Sequence, residues 1–385
     1  MKKIMLLFFL LCTAPLPSKA MKRVISSPFD ITTLSLSQKI GQLFMITAVS
    51  DEEIAKDTIT KKTYPVDKEY VTKMITDYHV GGIIYLGQSD SKKQIERTKY
   101  FQSISKIPLL VGQDLEPGRV GKSRFPNFFL FKSNEKIGKR NELTYTQNIG
   151  CIIGELCKTL GVHINFAPVA DVNSNPNNPI IGDRSFGSDP KEVAKHAIAF
   201  AQGLQESGIV ACAKHFPGHG DTTVDSHDTL PKIDKSMHDL LNTEIKPFKE
   251  LIKADIPMIM VGHIAVRELE SEENLPATLS KDIVTGYLKE EFGFKGIVIT
   301  DALDMNAITL TEHYKNGQAE LQALIAGNDI LLCPVNLIQA ITSIKKAILD
   351  GTITEKEIDS HVEKILNLKK NIFSSMQNSV IESYL

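Results

Sequence analysis

The sequence predicts an α/β chain closed into a single (β/α)₈ barrel of the TIM type. Three observations carry this. Eight short apolar runs alternate with helix-period segments over roughly 340 residues, a usual size for that fold. Charged or imidazole groups follow five of the runs. The first βα turn has no glycine-rich phosphate-binding fingerprint, which weighs against the alternative, an open doubly wound sheet. No internal repeat, low-complexity tract or second-domain boundary is visible. The expected division is a signal peptide at 1–20, a linker at 21–35, the barrel at 36–373 and a tail at 374–385.

The apolar runs lie at 41–46, 81–86, 108–112, 164–169, 209–213, 258–261, 296–300 and 330–333. Each is short enough for a buried strand of a parallel sheet. Between them, helical periodicity predicts helices over 66–78, 91–104, 145–160, 190–206, 237–254, 280–292 and 318–326, with a last helical region over 337–370. Ser280 is placed to cap a helix start, and Gly161, Gly208, Gly293 and Gly327 follow helix ends.

The bulk composition narrows the function classes. The 385 residues are 42% hydrophobic and 23% charged, as in a soluble globular protein. Net charge is −2 and the pI is near 6.6, which gives no electrostatic case for nucleic acid or a membrane surface. With no Trp, any stacking platform must use Tyr or Phe. Lys2 and Lys3 precede an apolar run at 4–11, and Ser18-Lys19-Ala20 suits signal-peptidase cleavage, so the chain is expected to be exported. The alternatives are an uncleaved N-terminal anchor or a lipid on Cys12, the latter disfavoured by bulky Leu11. No later stretch is long and apolar enough to span a bilayer. None of the five cysteines forms a Cys-x-x-Cys pair, and Cys151, Cys157, Cys212 and Cys333 read as small apolar residues of helices or strands.

Barrels of this kind keep their chemistry at the C-terminal ends of the strands. Here those ends carry Asp114, Asp171 with Asp183-Arg184 in the following loop, Lys214-His215, His263 and Asp301. The stretch KHFPGHGDTTVDSHDTLP at 214–231 holds three of the chain's 10 histidines, His215, His219 and His227, and three aspartates, Asp221, Asp225 and Asp228. Its turn residues make it a polar loop leaving a strand. Three readings stay open: a solvated inert loop, a metal site on His215, His219, His227 and Asp301, or acid/base chemistry. In the last, Asp225 holds one ring nitrogen of His227 and leaves the other for proton transfer.

These residues resemble glycoside hydrolase family 3, specifically its single-barrel bacterial β-N-acetylglucosaminidases. The likeness is carried by DLEPGRV at 114–120, NFAPVADVN at 165–173, IGDRSFG at 181–187, the His/Asp stretch, VGHIAV at 261–266, PATLS at 276–280 and GFKGIVITDALDM at 293–305. The resemblance implies Asp301 as nucleophile, His227 as acid/base and Asp225 as its partner. It further implies that Asp114, Arg184, Lys214 and His215 hold the sugar, with Lys122 where the family has an arginine and Arg124 close by. Leu115 and Pro117 also depart from the family's Gln and Gly.

The implied activity is a retaining exo-β-N-acetylglucosaminidase acting without metal or cofactor. The substrate would be a small carbohydrate with a terminal β-linked N-acetylhexosamine, as in peptidoglycan fragments. A retaining glycosidase needs a rigid carboxylate under the anomeric carbon and a proton donor at the leaving oxygen. No sequence pattern sets an oligomeric state, and a monomer is expected. A metal-dependent barrel hydrolase would instead be inactivated by chelation, and a non-catalytic sugar-binding protein would tolerate loss of Asp301.

Overall fold

The apolar runs become parallel strands because each is bounded by turn residues and buried on both faces. In chain order the strands are β1 (Phe44–Ala48), β2 (Gly82–Tyr85), β3 (Leu110–Gln113), β4 (Ile164–Asn165), β5 (Val210–Phe216), β6 (Lys232–Ile233), β7 (Met258–Val261), β8 (Ala265–Val266), β9 (Ile297–Thr300) and β10 (Leu331–Leu332). The computed structural model describes residues 28–50, 67–120, 124–125 and 131–382. The expected signal peptide at 1–20 and Lys122 lie outside the described residues. Eight strands form one parallel sheet in the order β10-β1-β2-β3-β4-β5-β7-β9. It closes on itself through an Ile299–Ile330 bridge, with Thr300 N–H donating to the Ile330 carbonyl at 3.1 Å. The result is the (β/α)₈ barrel. The short pair β6 and β8 lies outside it, built from the segments that follow β5 and β7.

Among the elements that differ from expectation, three have a clear local cause. Strand β5 does not stop at Ala213 but runs through Lys214 and His215 to Phe216. It continues because Val169 bridges Lys214, and Ala170 N–H donates to the Lys214 carbonyl at 2.7 Å, extending the ladder beyond β4. The helix expected over 237–254 is two helices, Met237–Asn242 and Lys246–Lys253. Pro247 lacks the N–H a continuous helix would need, and sits instead in the first turn of the second helix. The last helical region also divides, into Leu337–Leu349 and Glu355–Glu382. Gly351 adopts φ +81° at the break. Thr354 then starts the new helix: its Oγ accepts from Glu357 N–H at 3.2 Å while Glu357 accepts from Thr354 N–H at 2.7 Å.

The first and last helices are joined under the barrel. Lys39 pairs with Glu355 at 3.0 Å and with Asp359 at 2.7 Å. Buried Lys369 donates to Gln42 Oε1 at 2.6 Å, and burial pushes its ammonium down to about 7. Phe29 stacks on Phe373 with ring centroids 6.3 Å apart.

On the barrel's outer face, helices Leu143–Leu160 and Pro190–Glu206 approach through glycines. A Cβ on Gly203 would lie 2.1 Å from the Gln147 carbonyl oxygen and 2.7 Å from Cys151 N. Both are backbone atoms, so the helices themselves would have to separate. Gly203→Ala is therefore expected to cost at least about 1–3 kcal/mol in urea unfolding. Gly286→Ala, where a Cβ meets nothing within 4 Å, should change stability by less than about 1 kcal/mol. Equal midpoints for the two variants would contradict this packing.

Candidate active site

One pocket opens at the C-terminal ends of the barrel strands. Asp114, Arg184, Lys214, His215, His227 and Asp301 all line it, together with Glu116 and Arg124. Six of the residues expected to act together, drawn from five separate segments, are thus brought to one cavity. Asp225 stands behind His227 as its bonded partner. The apolar part of the lining includes Ile84, Leu86, Met260, Met305 and Leu332. Four carboxylates line the pocket, Asp114, Glu116, Asp301 and Asp304, against four cations, Arg119, Arg124, Arg184 and Lys214. These eight charges sum to zero.

The cations and carboxylates on one wall form a bonded cluster. Lys214 Nζ donates to Asp114 Oδ1 and to Glu116 Oε1, each at 2.7 Å. Arg184 forks onto Glu116, with Nε to Oε2 at 3.0 Å and Nη2 to Oε1 at 2.8 Å. Arg124 Nη2 reaches Asp114 Oδ2 at 3.3 Å. Burial alone would raise the Glu116 carboxyl, but Arg184, Lys214 and Arg119 hold it well below its ordinary value. Burial pulls the Lys214 ammonium down and the two carboxylates more than restore it. Arg124 thus brings a guanidinium to Asp114.

Asp301 follows β9 directly. Its N–H donates to the Val261 carbonyl at 2.9 Å, and its Oδ1 accepts from Ala302 N–H at 2.8 Å. Among the described residues nothing bonds Oδ2. Burial raises this carboxyl, but His215, His263 and the Ala302 N–H outweigh burial and hold it at about 2. These surroundings favour the ionised form. His263 anchors the same corner from below: Nε2 bonds the Ala302 carbonyl at 2.8 Å and Nδ1 meets Thr278 Oγ1 at 2.9 Å.

Three imidazoles line the cavity, those of His215, His219 and His227, and the first and last are each held from behind by a carboxylate. His215 Nδ1 meets Asp171 Oδ2 at 2.7 Å, and His227 Nδ1 meets Asp225 Oδ1 at 2.7 Å. An ionised carboxylate only accepts, so both rings carry a proton on Nδ1 and present Nε2 to the pocket. The His227 N–H also donates to Asp225 Oδ1, at 2.9 Å, so one oxygen fixes both backbone and ring. His219 differs. Nδ1 bonds Thr222 Oγ1 at 2.7 Å and Nε2 bonds Ser226 Oγ at 3.1 Å, which leaves neither ring nitrogen for a metal. Burial and neighbouring His215 push it down to about 4, so it is neutral.

Two buried carboxylates were not among the candidates. Glu116 is the hub of the cation cluster, and Asp171 holds His215 and the start of the His/Asp loop. Asp171 was visible as a strand-end residue, and Glu116 lies in the DLEPGRV stretch. Their partners are remote in the chain: Arg184 is 68 residues from Glu116, and His215 is 44 from Asp171. Nothing local reveals such pairs.

Comparisons with known proteins identify the family of the chain. Residues 35–368 match the family model described as "Glycosyl hydrolase family 3 N terminal domain". "Beta-hexosaminidase A" of Pseudoalteromonas piscicida is 31% identical over 383 residues, covering 90% of this chain and 63% of the relative. "Beta-hexosaminidase LpqI" of Mycobacterium tuberculosis is 33% identical over 310 residues, covering 77% of each. A solved glycoside hydrolase family 3 β-N-acetylglucosaminidase from Paenibacillus sp. str. FPU-7 superposes with a TM-score of 0.78 at 34% identity, over 88% of this chain and 63% of that one. The chain thus spans under two thirds of the Pseudoalteromonas and Paenibacillus proteins. Taken with the barrel and the pocket at its strand ends, these matches show that the chain belongs to glycosyl hydrolase family 3, through that family's N terminal domain.

Proposed function

We propose that the protein is a retaining exo-β-N-acetylglucosaminidase that works through a covalent glycosyl-Asp301 intermediate. The observation that carries this is the pocket shared by an ionised Asp301 with an unbonded Oδ2 and a His227 whose Nδ1 is held by Asp225. In the first step Asp301 Oδ2 attacks the anomeric carbon as the bond to the leaving oxygen breaks. The proton on His227 Nε2 passes to that oxygen, and Asp225 stabilises the imidazolium beforehand. In the second step neutral His227 takes a proton from water. The water oxygen bonds to the anomeric carbon, the ester to Asp301 breaks, and both groups return to their starting states. No step needs a metal.

The cation cluster forms the wall that receives the sugar. Lys214 and Arg184 are donors fixed by Glu116, Asp114 is an acceptor, and His215 Nε2 faces the same space. The names of the mycobacterial, Pseudoalteromonas and Paenibacillus relatives support N-acetylglucosamine as the sugar. The N-terminal sequence supports an exported enzyme, and a peptidoglycan fragment with a terminal β-linked N-acetylglucosamine fits both inferences. No described helix is long and apolar enough to cross a membrane.

The direct test is nitrophenol release from an aryl β-N-acetylglucosaminide. Asp301→Asn should lower kcat/KM by about 10³-fold or more, while excess chelator leaves the wild type unaffected. A fluorinated, slowly turned-over analogue should add one sugar mass to the peptide containing Asp301. Activity lost on chelation would move the assignment to a metal hydrolase. Activity confined to the β-glucoside would keep Asp301 as nucleophile and reject the N-acetyl specificity.

Glu116→Gln tests the wall. Breaking a buried ion pair from one side costs about 3–5 kcal/mol, so the variant should unfold at lower urea at pH 7 and show a raised KM. The sign with pH follows from the depressed carboxyl. Glu116 stays charged in the folded protein below its ordinary 4.5, so the unfolded chain takes up the proton first. Its stabilisation is complete above 4.5 and is lost as the pH falls from there towards the folded value. The gap in urea midpoint between wild type and variant should therefore narrow below pH 4.5, and a constant gap would reject this role.

A further inference from the structure

We propose that His219 is a positioning residue, a strut between the base and the tip of the loop that holds His227 over the pocket. This inference rests on the acid/base role given to His227 above. The loop leaves the barrel after β5 and has no strand or helix until β6. Its base is fixed by Asp171, whose Oδ1 accepts the N–H groups of both His215, at 3.2 Å, and His219, at 2.7 Å. The His219 carbonyl is clamped by Asn178 Nδ2 at 2.8 Å.

The His219 ring then crosses the loop. Nδ1 bonds Thr222 Oγ1 and Nε2 bonds Ser226 Oγ, seven residues on and next to His227. Ser226 is also tied to the nucleophile's side of the pocket, since its carbonyl accepts from Ala307 N–H at 3.2 Å. His219 is 2% exposed and both its ring nitrogens are satisfied, so the ring is fixed by bonds at each end. A proton donor displaced by about 1 Å loses much of its effect, so the strut, whose His219 and Ser226 also line the pocket, bears on the chemistry by holding His227 in place. Asp171 also holds the His215 ring, so the same carboxylate sets a sugar-facing imidazole and the first bond of the strut.

The test varies the leaving group. Kinetics of His219→Gln and Ser226→Ala are measured on 2,4-dinitrophenyl, 4-nitrophenyl and 4-linked disaccharide β-N-acetylglucosaminides, with His227→Ala as reference. Dinitrophenolate departs without a proton, whereas a sugar hydroxyl needs one. The strut variants should lose about 10–100-fold in kcat/KM on the disaccharide and no more than about threefold on the dinitrophenyl substrate. On the latter, kcat should still fall, because the second step needs His227 as base. His227→Ala should show the same pattern, larger, and the two strut substitutions together should cost less than the sum of each. Equal loss on all three substrates, or no loss, would overturn the proposal.

A second measurement needs no turnover. Ring signals of His227 in ¹⁵N-histidine-labelled protein should shift and broaden in both strut variants if the strut orders that ring. Unmoved signals would overturn the strut. Signals that move in the variants, with a wild type inactive on every substrate, would leave the strut standing and reject the proposed activity instead.

Discussion

The site depends on Glu116, a carboxylate that is 2% exposed. Two cations, Lys214 and Arg184, come to the pocket wall from different segments, and each would be costly to bury alone. Glu116 accepts from both, and Asp114 shares the lysine. The donors are thereby held in place before any ligand arrives, so a ligand would meet ordered groups. That is the general requirement for differential binding of a transition state. The barrel supplies the frame. Its parallel strands all end at one rim, so residues distant in the chain converge without long connections.

Much of this was legible in the sequence. Each of the eight apolar runs carries a barrel strand, because parallel strands buried on both faces leave a plain hydrophobic signature. Convergence of Asp114, Lys214, His215 and Asp301 followed from the rule that polar groups gather at strand ends, while Arg184 and His227, in the loops beyond, were singled out by the family resemblance. What could not be read is pairing. Arg184 turns to Glu116 rather than Asp114, and Asp171 serves two histidines, because such choices depend on three-dimensional approach. His219 shows this most clearly. In sequence it is a third histidine of equal standing, open to a metal reading. In space both its nitrogens are taken by hydroxyls, and it belongs to the loop's framework.

Misjudged boundaries have simple local causes. Strand β5 gains three residues because the segment after β4 offers it further hydrogen bonds, which apolar periodicity does not register. The split at Thr243 to Ile245 comes from one proline, and that at Asp350 to Thr354 from a glycine followed by a capping pair. In each case the backbone's bonding needs overruled a periodicity that was otherwise correct.

The joining of the first and last helices under the barrel has a consequence for how the molecule can be rebuilt. Phe29 and Phe373 touch, and Lys39 and Lys369 fasten the same seam. A short peptide across that seam would make the backbone a ring around the barrel. New ends could then be opened at an exposed turn such as Asn141-Glu142, between two outer helices. Circular permutation of this kind would leave every residue at the rim with its neighbours unchanged, and would separate the barrel's folding order from its chemistry.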